Sequence, residues 1–309
     1  MTPAVTSASL RGQLRRGVPL APYTSWRVGG PADQLYEPAD REDLLAYLAQ
    51  LPPGMPLWWM GLGTNTLVRD GGFRGAVIVL RRHITALRLE GASEIHAEAG
   101  VACARVAKFA ERHDLGALGF MTGIPGTIGG ALTMNAGAYG SETWAHVAAA
   151  EAVFAGGATR WLEPHDFVIA YRSVQMPAGF LGFLAARLKV RPQPAGGREQ
   201  TQQWMASRRA TQPLGRPSGG STFRNPPGGH AAQLIEAAGL KGHSIGGASV
   251  STLHANFLLN DGTATAADIE ALIEHVRAAV EAASGIRLEL EVRIVGERAA
   301  PEVRGAGRA

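Results

Sequence analysis

The stretch from Gly116 to Gly140, GALGFMTGIPGTIGGALTMNAGAYG, limits what this chain can fold into more than any other. Gly123, Pro125, Gly126, Gly129, Gly130 and Gly137 crowd into residues 123–137. An interior glycine costs a helix about 1 kcal/mol and a proline about 3, so the spacing predicts irregular backbone. Ile124, Ile128, Leu132 and Met134 are apolar and the run carries no charge, whereas a solvated linker is polar. The expectation is a buried loop that lets a flat or charged group approach its backbone, and therefore a loop that lines a ligand site.

A chain of 309 residues can bury about 75% of its unfolded surface without staples. Its single cysteine, Cys103, excludes an intrachain disulfide and multi-cysteine zinc sites, and suits a reducing compartment. Apolar runs such as Ala76 to Leu80 fall far short of the roughly 20 residues that span a bilayer, and the N-terminus lacks the apolar core of a signal peptide. A cytoplasmic protein with no membrane insertion is expected. The net charge is +4, with lysine only at Lys108, Lys189 and Lys241 and arginine pairs scattered at 15–16, 81–82 and 208–209. That pattern argues against a nucleic-acid groove and suits steering of small phosphorylated ligands. The nine histidines show no metal-ligand spacing, so no metal is expected. Nothing calls for an obligate protein partner.

Along the chain, Asp40 is placed to cap a helix over Arg41–Gln50 with Leu44, Leu45 and Leu48 on one face and Pro52-Pro53 as its stop. A strand over Leu57–Met60 runs into Gly61-Leu-Gly-Thr-Asn-Thr66. The third glycine of a dinucleotide fingerprint is absent and no helix pattern follows, which argues against a Rossmann unit. Strand, glycine turn and strand can still present N–H groups to an anion, with Thr64, Asn65 and Thr66 beside them. Further strands are expected at Leu87–Glu90, Ile95–Ala99, Ala145–Phe154, Thr159–Leu162 and Phe180–Val190, with a helix over Val101–His113 turning Val106, Phe109 and Ala110 inward. Composition shifts at Arg191–Gly197, which places a domain boundary before a polar helix over Arg198–Thr211. Pro217 to Pro227 reads as a second breaker-rich loop. Thr265 opens a long helix that Gly285 ends, and Ile286–Val295 alternates as a final strand. Strands and helices mix without βαβ regularity, which argues for α+β domains.

These segments together resemble the UDP-N-acetylenolpyruvoylglucosamine reductases. The resemblance rests on TSWRVGGPA from Thr24, GLGTNTLV from Gly61, GIPGTIGGALTMNAGAYG from Gly123, YRS from Tyr171, GGSTFRNPPG from Gly219, AAQLIEAAGLKG from Ala231, HANFLLN from His254 and LELEVRIVG from Leu288. They fall in the family's order across most of the chain.

The resemblance implies an α+β, two-subdomain FAD-binding fold of the vanillyl-alcohol-oxidase/PCMH type with a C-terminal α+β substrate-binding domain. The expected boundaries are 1–85 and 86–197 for the two FAD-binding subdomains and 198–298 for the substrate-binding domain, with 299–309 as a disordered tail. Gly61, Gly63, Thr64, Asn65 and Thr66 would cradle the pyrophosphate of non-covalent FAD. Gly123, Ile124, Pro125, Gly126, Gly129, Gly130, Asn135 and Gly137 would wrap the flavin. NADPH would donate the hydride, and the enolpyruvyl group of UDP-N-acetylglucosamine-enolpyruvate would receive it to give UDP-N-acetylmuramate, a peptidoglycan precursor.

Three residues take catalytic roles by this resemblance: Arg172 as a permanent cation facing the developing enolate, Ser221 as proton donor, and Glu291 to polarise the site or relay the proton. Asn225 and Arg224 match the substrate loop, with arginine where the family more often has lysine. Read without the resemblance, Arg172 is a strand charge, Ser221 a turn residue and Glu291 a member of a solvated strand face. The absence of a long tyrosine-bearing insertion between Arg172 and Ser221 matches the family's shorter, second type. Two other readings remain: an O₂-using flavin oxidase of the same fold, and an idle nucleotide-sugar binding protein.

Overall fold

The structure, a computed structural model, describes residues 9–300. They divide into two compact units made of interleaved segments. The first takes residues 9–16, Gln34–Thr64 and Gly75–Gly215; the second takes Gly17–Asp33, Asn65–Arg74 and 216–300. The chain therefore crosses between units at 16/17, 33/34, 64/65, 74/75 and 215/216, and the linear boundaries at 85/86 and 197/198 mark none of these crossings.

In the first unit, Thr159–Leu162, Val147–Phe154, Phe180–Lys189, Glu94–Glu98 and Leu87–Glu90 form an antiparallel sheet in that order. Helix Cys103–Arg112 buries Cys103, Val106, Ala107 and Ala110, while Phe109 is only half-buried. Burial pushes the Cys103 thiol up to about 12, so it is an inert apolar filler. Helix Arg41–Gln50 starts where expected, with the Asp40 carboxylate accepting from Asp43 N at 3.0 Å and Leu44 and Leu48 buried. Strand Leu57–Met60 pairs in parallel with Phe73–Val79, Leu57 opposite Ala76 and Met60 opposite Val79.

Two features of this unit differ from expectation. A helix, Ile128–Met134, lies inside the glycine-rich stretch. Its first-turn donors are satisfied from outside: Ile128 N–H by Val101 O and Gly129 N–H by Ala99 O, each at 2.9 Å, and Gly130 N–H by the Thr127 hydroxyl at 3.5 Å. Buried Ile128, Ala131 and Leu132 then hold one face, so tertiary packing overrides propensity. The polar helix, Gly197–Thr211, packs within this unit and opens no new one. Trp204 stacks on Tyr139 with ring centroids 4.8 Å apart, and Arg208 Nη1 donates to Gly123 O.

In the second unit, Ser218–Ser221, Phe257–Asn260, Ala248–Val250 and Ser244–Ile245 form an antiparallel sheet in that order. Ile269, Leu272, Ile273, Val276 and Val280 of helix Ala266–Ser284 share one buried cluster with Leu258 and Phe223. Thr265 and Asp268 form a capping box, and the Asp70 carboxylate accepts from Ala266 N and Ala267 N at 2.9 Å each. All four orphan donors of this helix, from Thr265 to Asp268, are thereby satisfied by side chains. Asp70→Ala is expected to cost about 1–2 kcal/mol, the upper half of the range for lost N-terminal caps. Denaturant unfolding of the two proteins side by side checks this, and an unchanged midpoint would contradict the capping role.

Two sequence expectations are corrected in this unit. The final strand spans only Arg293–Val295, parallel to Thr66–Val68. Upstream, Leu288 and Val292 are buried, but the β-pairing of residues 286–292 is limited to an isolated bridge from Leu290 to Phe223. Alternation there reports burial of single side chains, not a sheet ladder. The second breaker-rich loop contains a strand, Ser218–Ser221, instead of coil throughout. Residues 299 and 300 are exposed and outside regular structure, while 301–309 of the expected tail lie outside the described residues. Among the described residues no helix is long and apolar enough to cross a membrane.

Candidate active site

Within the first unit the two glycine-rich loops meet. A Cβ on Gly61 would lie 2.4 Å from the Thr127 hydroxyl, and one on Gly126 would have Thr64 Oγ1 as its nearest neighbour at 3.8 Å. Gly61 and Thr64 thus stand against Gly126 and Thr127, although some sixty residues separate them in sequence.

The glycines of this cleft have different reasons to be glycine. Gly61 is fixed by the approach of Thr127, and Gly123 by the Tyr139 ring, 2.6 Å from where its Cβ would stand. Gly126 and Gly130 are different, because a Cβ there meets nothing nearer than 3.8 Å and neither residue has positive φ. The fold does not demand glycine at these two positions, yet keeping one there costs unfolded-chain entropy. Pro125 and Gly130 are exposed and Gly126 half-buried, while Gly123, Ile124, Thr127 and Ile128 are buried. The turn therefore shows bare backbone on one side and is anchored on the other. That is a cradle into which a flat, phosphorylated group fits, and the residues present suit FAD.

Arg172 follows Tyr171 in the two-residue turn between the paired strands Val168–Ala170 and Ser173–Gln175, with φ of 53°. Its guanidinium folds back onto the glycine stretch. Nη2 donates to Gly137 O at 2.9 Å and Nη1 to Asn135 O at 3.3 Å, and the side chain is 15% exposed. A Cβ on Gly137 would stand 3.0 Å from Arg172 Nη1 and 2.5 Å from Ser141 O, so that glycine leaves room for the cation. Asn135 is buried, takes left-handed φ of 47° at the end of helix Ile128–Met134, and commits its amide to protein groups. Nδ2 donates to Glu142 Oε2 at 2.8 Å and to Ala170 O at 3.2 Å, and Oδ1 accepts from Trp144 N at 3.1 Å.

The second unit carries the remaining predicted residues. Ser221 closes strand Ser218–Ser221 across a bulge, since Ser218 pairs with Leu259 and Ser221 with Phe257, leaving Gly219 and Gly220 opposite Leu258 alone. Gly220 has φ of 73°, and a Cβ on Gly219 would lie 2.4 Å from the Trp26 ring. Trp26 Nε1 in turn donates to Leu258 O at 2.8 Å, and Ser25 Oγ to Ser218 O at 2.5 Å. A bulge of this kind re-aims the side chain that follows it.

Glu291 is half-buried beside the same segment. Its N–H donates to Thr222 O at 2.9 Å, and its carbonyl accepts from Asn65 Nδ2 at 3.1 Å. Thr66 is buried in the strand that pairs with Arg293–Val295. Arg224 N–H donates to Glu289 O at 2.8 Å, and Asn225 Oδ1 accepts from Ala231 N at 3.1 Å, which closes the Pro226–His230 turn. The second unit therefore brings Asn65, Ser221 and Glu291 to one place, while the first brings Arg172 to the glycine stretch.

Sequence reasoning missed Asn256, which holds the Ser221 segment in place. Asn256 is 3% exposed. Its Oδ1 accepts from Phe223 N at 2.9 Å, its Nδ2 donates to Phe223 O at 2.8 Å, and its carbonyl accepts from Thr222 N at 2.8 Å. The signal was its place in HANFLLN, a polar residue followed by the apolar run Phe257–Leu259.

Residues 32–163 match the FAD binding domain family, and 212–295 match the UDP-N-acetylenolpyruvoylglucosamine reductase C-terminal domain. The UDP-N-acetylenolpyruvoylglucosamine reductase of Methylococcus capsulatus is 52% identical over 295 residues, covering 95% of this chain and 97% of its own length. The enzyme of the same name from Alkalilimnicola ehrlichii is 53% identical over 287 residues, covering 93% and 96%. A crystal structure of UDP-N-acetylenolpyruvylglucosamine reductase from Thermus caldophilus superposes with a TM-score of 0.78 at 33% identity, over 93% of this chain and 99% of that one. With an FAD-binding domain, a matching C-terminal domain and near-complete relatives at about half identity, the chain belongs to the UDP-N-acetylenolpyruvoylglucosamine reductase family.

Proposed function

We propose that this chain is an FAD-dependent oxidoreductase that uses NADPH to reduce the enolpyruvyl group of UDP-N-acetylglucosamine-enolpyruvate, giving UDP-N-acetylmuramate for peptidoglycan. The observation that carries the reading is the bare-backbone cradle at Gly126 and Gly130, whose glycines the fold does not need, in a chain of this family. A cytoplasmic setting, without nucleic acid or an obligate protein partner, belongs to the same proposal.

When bound, FAD supplies the redox relay between NADPH and the enolpyruvyl double bond. Gly61, Gly63, Thr64, Asn65 and Thr66 hold its pyrophosphate, and Gly123, Ile124, Pro125, Gly126, Gly129, Gly130, Asn135 and Gly137 form the wall around it. Asn135 serves that wall by fixing backbone, because its amide is already engaged. Adding hydride to the vinyl carbon throws negative charge toward the substrate carboxylate. Arg172, held by two carbonyls, offers a fixed positive charge that needs no reorganisation as the negative charge grows. The Ser221 hydroxyl donates the proton to the adjacent carbon, with Glu291 polarising it or relaying its replacement. Arg224 and Asn225 contact the substrate.

The test is anaerobic. The purified protein should be yellow, bleach with NADPH, and regain its colour when the enolpyruvyl sugar replaces excess NADPH. A protein that stays bleached until air is admitted would favour the oxidase reading. A colourless protein that binds no added FAD would sink both.

A further inference from the structure

We propose that Glu142 is a positioning residue for Arg172, acting through Asn135; this rests on the catalytic role given to Arg172 above. Glu142 touches the guanidinium only at 4.0 Å, and its side chain is 38% exposed. Direct charge attraction at that distance and exposure is weak. Its stronger contact is the 2.8 Å hydrogen bond from Asn135 Nδ2 to Oε2.

Asn135 is the hinge of the arrangement. The same Nδ2 donates to Ala170 O, the last carbonyl before Tyr171-Arg172, while the Asn135 main-chain carbonyl accepts from Arg172 Nη1. One residue thus grips both the strand end that launches the arginine and the guanidinium at its tip. Without an acceptor for its outward N–H, the Asn135 amide could rotate away from Ala170. Glu142 also pairs through its backbone with Gly137, whose carbonyl takes Nη2. The carboxylate and the strand pair together fix both carbonyls that aim Arg172. Arg172 itself sits at positive φ, a conformation a non-glycine residue keeps only when its surroundings impose it.

Single-turnover return of flavin colour, measured per bound flavin on the holoenzyme, reads this out. Glu142→Ala should slow the return by up to about 10²-fold, the scale for misplacing a reacting group by about 1 Å, with KM for the enolpyruvyl sugar and flavin reduction by NADPH unchanged. Glu142→Gln keeps an oxygen for the Asn135 amide and should return the rate to near wild type. In an Arg172→Ala background, Glu142→Ala should cause no further loss. Additive losses, or a Gln variant as slow as Ala, would overturn the role of Glu142 while leaving that of Arg172 intact. Full turnover by Arg172→Ala alone would remove the catalytic assignment and this inference with it.

Discussion

Ser221→Ala is expected to keep its flavin, bleach with NADPH at the wild-type rate, and then return to the oxidised form about 10²–10⁴-fold more slowly on adding the enolpyruvyl sugar, the range spanned by a positioned proton donor. The asymmetry between the two half-reactions is the point. Reduction by NADPH needs no proton at the substrate carbon, so it should not feel the hydroxyl. The second half-reaction does need one, and a serine is a poor acid unless the forming carbanion is close and the geometry is fixed. The structure supplies the fixing. Trp26 sits under Gly219, Gly220 turns through left-handed φ, and Asn256 ties Thr222 and Phe223 from the far side. The Ser221 backbone therefore stands between two anchored points. Stopped-flow absorbance on both half-reactions makes the measurement. Equal slowing of both would mean that the substitution disturbed the fold around the flavin, and no slowing of the second would exclude Ser221 as the donor.

The parts of the fold legible in the sequence are those where local signals and tertiary packing agree. Asp40 with Leu44 and Leu48, and Thr265 with the buried row from Ile269 to Val280, announce their helices through capping and spacing alone, and both form as read. Where the two disagree, the sequence misleads. Ile128–Met134 is helical among glycines because Ala99 and Val101 satisfy donors that no local pattern reveals. The Ile286–Val295 alternation looks like a strand, but only Arg293–Val295 forms a ladder, its partner Thr66–Val68 lying more than two hundred residues earlier.

For the candidate site, residue chemistry alone would have placed Arg172, Ser221 and Glu291 among surface and turn residues. The resemblance named them. The structure adds why each is held: carbonyls of the glycine stretch for Arg172, a bulge over Trp26 for Ser221, and Thr222 with Asn65 for Glu291. Asn135 shows the limit of motif reading. Its position in the motif says that it matters at the flavin loop, but only its contacts say that its amide faces protein.

The same distinction between motif and contact separates the glycines, and it predicts opposite outcomes for two substitutions three residues apart. Gly126→Ala places a methyl where nothing lies within 3.8 Å and where φ is unexceptional, so the flavin-free protein should hold its stability or gain about 0.4–1 kcal/mol from a less flexible unfolded chain. If the bare backbone there receives FAD, the same methyl intrudes on the cofactor. Overpacking of a close-fitted contact costs about 1–3 kcal/mol, so FAD should bind about 5- to 150-fold more weakly. Gly123→Ala reverses the pattern, because its methyl would stand 2.6 Å from the Tyr139 ring and 2.9 Å from Ala138 Cβ. That variant should lose stability even without flavin, since Tyr139 is itself stacked on Trp204 and cannot simply move aside. Thermal unfolding of the flavin-free proteins and FAD titration by flavin fluorescence give the two axes. A Gly126→Ala protein that binds FAD as tightly as wild type would show that the cofactor does not approach this turn, and the cradle would have to be sought elsewhere along the glycine stretch.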